Sequence, residues 1–144
     1  MVSLVTIFSI LENNLGYAQS TNHTPSPISN ELEIVTEKLI RSQIMAFQSA
    51  DVDTAYSFAS PFIKLKFTNS ETFGQMVKSA YPVIWAAKEF RFIQSMMVSD
   101  IIVQRVLFID NVEKIYVFDY LLKKFEDKWL INGVYPVKNY SSGV

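Results

Sequence analysis

From Leu32 onward the apolar residues first recur at three- and four-residue spacing and later fall into near-alternating runs, so helices precede strands. Leu32, Val35, Leu39, Ile40, Ile44 and Phe47 form one stripe of a helix running through about Ser49. Ser29 or Asn30 caps it, and Glu31 and Glu33 sit in its first turn, where carboxylates suit the positive end of a helix. Asp51-Val-Asp53 interrupts the stripe, and Asp53 caps a second, short helix whose Ala55, Tyr56, Phe58 and Ala59 face inward. Pro61 ends that helix, because its ring disfavours helical backbone at Ser60. Phe62 to Phe67 reads as a short extended or turn segment. Asn69-Ser70 then open a third helix with Glu71 in its first turn and Phe73, Met76, Val77 and Ala80 on its apolar side, closed by Tyr81-Pro82.

Four strand-like runs follow: Glu89 to Val98, Ile101 to Ile109, Glu113 to Phe125 and Lys128 to Val137. Asp110-Asn111 and Glu126-Asp127 leave room only for tight connections, so neighbouring strands pair antiparallel. The first two helices bend back on each other and cannot bury their apolar faces alone, so they must cap the strands that end in Trp129-Leu-Ile-Asn-Gly-Val134. The expected class is α+β, with N-terminal helices on one face of a curved antiparallel sheet of about four strands.

The residues that carry a closer likeness are Gln43 with Ala46-Phe47, Ala55-Tyr-Ser-Phe-Ala-Ser-Pro61, Phe73 with Met76-Val77, and Tyr81-Pro-Val83. They continue with Gln104 and Val106, Tyr120, and Trp129 to Val134. In their order and spacing, over about Glu33 to Lys138, the chain resembles domain-of-unknown-function family 4864, within the nuclear-transport-factor-2-like (SnoaL-like, cystatin-like cone) superfamily. Such families usually carry a glycine before the final tryptophan, whereas Glu126-Asp127-Lys128 stands there in this chain. The resemblance implies a cone-shaped fold with a concave pocket and transfers no catalytic residue, since the family has no assigned activity.

The 144 residues suffice for one domain, expected over 30–140, with a tail at 141–144. Thirteen Lys and Arg against fourteen Asp and Glu leave a net charge of −1 without a basic stripe, which argues against nucleic acid as a partner. The absence of cysteine excludes disulfides, thiolate metal sites and a cysteine nucleophile. Val2 to Leu11 is apolar but shorter than the ~20 residues a membrane span needs. With Gly16 and Ala18 at the positions a signal peptidase reads, residues 1–18 are expected to be a signal peptide, although no Lys or Arg precedes Lys38. Residues 19–29, rich in Ser, Thr, Asn and Pro, read as a linker. The protein is therefore expected outside the cytoplasm, or inside it if 1–18 is not a leader. Asn22-His-Thr24 and Asn139-Tyr-Ser141 match the glycosylation sequon, which matters only for an exported chain.

His23 is the sole histidine and lies in the linker, so neither a His–Asp pair nor a serine triad can be built inside the domain, and a metal would need carboxylates alone. No cofactor or metal is expected. One enzymatic option remains: an isomerase or cyclase with Asp119 as a buried base and a tyrosine, Tyr120 foremost, as donor. Against it stands pairing of Asp119 with Arg105 or a lysine on a neighbouring strand. Eleven Phe, seven Tyr and two Trp supply an aromatic interior, and Phe47, Phe58, Tyr81, Trp85, Tyr120 and Trp129 are the expected lining of an apolar ligand pocket. Tyr135 adds a further hydroxyl, and Gly133 marks a bulge or a close backbone approach. Gln43, Gln104 and Asn132 interrupt apolar patterns; once buried, each either ties elements together or orients a ligand. The favoured reading is a non-catalytic module that holds a small apolar ligand or forms a homodimer through its sheet.

Overall fold

The computed structural model describes residues 24–140; the expected leader at 1–18, His23 and the tail at 141–144 lie outside the described residues. Helix α1 (Asn30–Gln48) begins where the sequence pattern sets it, with the Ser29 hydroxyl accepting from the Leu32 N–H at 3.3 Å. Helix α2 (Val52–Ser57) is capped by Asp51, whose carboxylate accepts from the Thr54 N–H, and not by Asp53. Asp53 instead accepts from the Ser70 hydroxyl and ties α2 to the start of a later helix.

The segment expected to be extended, Phe62 to Phe67, is largely helical. Pro61 starts α3 (Pro61–Lys66), with Ser60 as its cap. Proline suits the first position of a helix because its missing N–H would be unpaired there anyway. The same happens at Pro82: α4 (Ser70–Ala80) ends on schedule, but α5 (Pro82–Ala86) follows at once, a helix the apolar spacing did not reveal.

Strands β1 (Glu89–Val98), β2 (Ile101–Ile109), β3 (Ile115–Phe125) and β4 (Lys128–Pro136) form one antiparallel sheet in the order β1-β2-β3-β4. The β3–β4 hairpin turns through Glu126 at φ 53°, the left-handed region that glycine enters most easily and that a larger residue occupies here. Both outer strands are partly covered. Ser26 exchanges two backbone hydrogen bonds with Met97 on β1, and the Ala59–Ser60 stretch pairs alongside Ile131 on β4. Such cover blunts the unpaired edges that would otherwise template association.

Alternation along the strands separates two faces. On the inner face Ile102, Val106, Phe108, Phe118, Tyr120, Leu122 and Ile131 join Ile40, Ile44, Phe47, Phe73 and Ile84 of the helices in the main core. On the outer face Met96, Val98, Ile101, Val103 and Leu121 form a second, smaller cluster, against which Tyr135 packs. The sheet carries two irregularities, at Ile93 in β1 and at Asn132 in β4.

Candidate functional site

Between the helices and the inner face of the sheet lies a cleft of about 350 Å³. Gln43 and Phe47 of α1 and Phe73, Met76 and Val77 of α4 form one wall. Tyr120 of β3 and the β4 stretch Ile131 to Tyr135 form the other, and Tyr81 stands where α4 meets α5. Exposed Phe62 and Lys66 of the short helix α3 border the opening.

The irregularity in β4 shapes the cleft. Leu122 pairs with Ile131 and Leu121 with Gly133, which leaves Asn132 as an extra residue. A bulge of this kind re-aims a side chain that strict alternation would turn away, and Asn132 lines the cleft beside inward-facing Ile131. At Gly133 a Cβ would lie 2.8 Å from Cε2 of Tyr135, so the missing side chain is what lets that ring fold over the strand.

Three phenols line the cleft and differ in their partners. Tyr81 donates to the Val134 carbonyl at 3.2 Å, and burial together with the neighbouring Tyr135 phenol pushes its ionisation up. Tyr120 is fully buried, and burial, then the nearby Tyr81 phenol, drives its ionisation far above the usual range. Among the described residues its hydroxyl has no partner. The buried Oδ1 of Asn132 has none either. Trp85 Nε1, Gln94 Oε1, Gln104 Oε1 and Arg105 Nη1 are likewise unpaired among the described residues, but none of these side chains lines the cleft.

The aromatic residues expected around a ligand divide evenly. Phe47, Tyr81 and Tyr120 line the cleft; Phe58, Trp85 and Trp129 pack against the core without lining it. Trp85 stacks against Phe47 with ring centroids 5.3 Å apart. The polar interruptions divide too. Gln43 donates to the Ala55 carbonyl at 3.1 Å and so ties α1 to α2, and Gln104 donates to the Gln94 carbonyl at 2.9 Å.

Asp119 lies on the opposite face from Tyr120. It pairs with Arg105 directly across β2–β3, with Nε to Oδ1 at 2.7 Å and Nη2 to Oδ2 at 2.8 Å, both residues being almost wholly buried. A carboxylate engaged at both oxygens is an anchor between strands. The expected base and the expected phenol donor therefore do not meet in one site.

The family model for a domain of unknown function, DUF4864, matches residues 29–144, most of the chain. The chain belongs to that family. Among solved structures it is similar to a candidate NTF2-like transpeptidase from Campylobacter jejuni, at 18% identity and TM-score 0.50, over 73% of this chain and 99% of that one. It is also similar to an NTF2-like protein of unknown function from Shewanella oneidensis, at 17% identity and TM-score 0.48, over 73% of this chain and 98% of that one. At 18% identity the first likeness establishes the NTF2-like fold and nothing of the chemistry. No curated protein matches the chain.

Among the described residues no helix is long and apolar enough to cross a membrane, and no three His, Asp or Glu side chains gather where they could hold a metal. The cleft thus offers an aromatic surface, the amides of Gln43 and Asn132 and phenols, with Lys66 as the one ionic side chain at its border among the described residues.

Proposed function

We propose that this protein is a non-catalytic binding module that holds a small, largely apolar ligand between its helices and the inner face of its sheet. The observation that carries this reading is the makeup of the cleft: aromatic and aliphatic side chains dominate, and neither a carboxylate nor an imidazole lines it. Apolar ligand sites share that composition, with a few placed polar groups to orient the ligand. Acid–base chemistry on an enolisable substrate would need a base in the cleft, and Asp119 is committed to Arg105 on the other face.

Export belongs to the same proposal and rests on the apolar run Val2 to Leu11 and the small residues Gly16 and Ala18. N-terminal sequencing of protein recovered outside the cytoplasm tests it, a mature start at Gln19 being the expected result.

Binding is tested with the neutral fluorophore N-phenylnaphthylamine. Its emission should rise on mixing with the protein and stay low with Met76→Trp, which fills the cleft from α4. Circular dichroism should show the variant folded. Equal emission from both proteins places the dye elsewhere and removes the reading. Native mass spectra of the purified chain report any mass lost on denaturation and any homodimer.

A further inference from the structure

We propose that the inner part of the cleft recognises a hydroxyl group on an otherwise apolar, uncharged ligand, with Tyr120 donating to its oxygen and Asn132 accepting its proton. This rests on the reading of the cleft as a ligand site and adds which chemistry that site selects.

Buried polar groups in native proteins are almost always paired, and leaving one unpaired costs about 1–3 kcal/mol. Tyr81 obeys the rule by donating to the Val134 carbonyl. Tyr120, more deeply buried, lines the same cleft and donates to nothing among the described residues. Asn132 is brought into the cleft by the β4 bulge and presents an unpaired, buried Oδ1. One unpartnered donor and one unpartnered acceptor thus belong to two residues that line a single cleft.

The pair discriminates among functional groups. A phenol held far above its usual ionisation stays protonated, so its hydrogen is left over for an acceptor. An amide oxygen can only be met by a donor. A ketone satisfies Tyr120 and leaves Asn132 Oδ1 unpaired. A carboxylate would also face that oxygen, with Lys66 held out at the exposed border. A hydroxyl satisfies both at once, because it accepts through oxygen and donates through hydrogen. An alkane satisfies neither.

Titration of the full chain with octanol, octanone, octanoate and octane, read by N-phenylnaphthylamine displacement, tests the assignment. Octanol should bind about tenfold more tightly than octane or octanoate, the amount that one properly paired buried group supplies. Tyr120→Phe and Asn132→Leu should each remove that preference, with circular dichroism showing that the variants are folded. Two results overturn the proposal while sparing the cleft as a binding site: equal affinity for all four compounds, or octanone matching octanol. A marked loss of unliganded stability in Tyr120→Phe would do so as well, by revealing an internal partner such as Gln104, which lies opposite Tyr120 on β2. Failure of every compound to displace the dye overturns the proposal and the ligand-site reading together.

Discussion

On the outer face of the sheet Asp119 gives both carboxylate oxygens to Arg105, whereas one residue further along β3 the Tyr120 phenol turns inward and meets no partner. Both side chains are buried to about the same degree, 1% and 0% exposed, so burial alone does not distinguish them. Partnership does. A charge withdrawn from water must be paired or the domain loses stability. A single neutral hydroxyl is a cost that a stable domain can bear, and one that a ligand can relieve. The strand thus carries an anchor on one side and a recognition group on the other.

The strongest way to break this contrast is to remove the anchor. Asp119→Asn leaves the Arg105 charge buried without a counter-ion and should lower unfolding free energy by about 3–5 kcal/mol. Denaturant unfolding measures it. Replacing both partners, Arg105→Met with Asp119→Leu, should restore most of the loss, since two apolar side chains of similar volume carry no desolvation penalty. A neutral Asp119→Asn would mean that solvent screens the pair, and the outer face would lose its structural role.

A smaller perturbation acts on β4, under the Tyr135 ring. A Cβ at Gly133 meets Cε2 and Oη of Tyr135 at 2.8 and 3.2 Å. These atoms are the far end of a ring that can swing away, so Gly133→Ala should cost only about 1 kcal/mol, at the low end of overpacking effects. The displaced ring alters the cleft wall, so octanol affinity should fall more than stability does. Parallel changes in the two would make Tyr135 a packing residue only.

The strands were legible in the sequence because alternation and two-residue breaks act locally, and the expected bounds of β1 and β2 match the structure. The two missed helices trace to one ambiguity. Proline stops a helix that precedes it and favours one that follows, and at Pro61 and Pro82 both effects operate on adjacent segments. The cleft was half legible. Aromatic character marks Phe47, Tyr81 and Trp85 alike as candidate lining, but which of them borders empty space depends on how much volume neighbouring side chains leave unfilled. Asn132 was recognisable only as a polar residue in an apolar run. Its position in the cleft follows from a bulge, which a two-residue period does not encode.

The finest test concerns Tyr120 itself, where the sign of the change is informative. Tyr120→Phe deletes a hydroxyl that makes no bond among the described residues, so unliganded stability near neutral pH should rise by about 1 kcal/mol, the low end of the cost of an unpaired buried hydroxyl. At high pH the two proteins should part. Burial raises the ionisation of Tyr120 in the folded state above the ordinary value of 10.0, while the unfolded chain ionises at that value. Below it both states keep the proton and the contribution to stability is intact. Above it only the unfolded state loses the proton, so stability falls with rising pH by about 1.4 kcal/mol per unit for this one group. Tyr81, less buried, acts in the same direction more weakly. The Phe variant should therefore show a shallower alkaline decline by close to one proton. Identical slopes would mean that the folded protein releases the Tyr120 proton as easily as the unfolded chain does. The phenol would then be reachable from solvent, and the contrast between the two faces of β3 would reduce to one between a paired and a hydrated group.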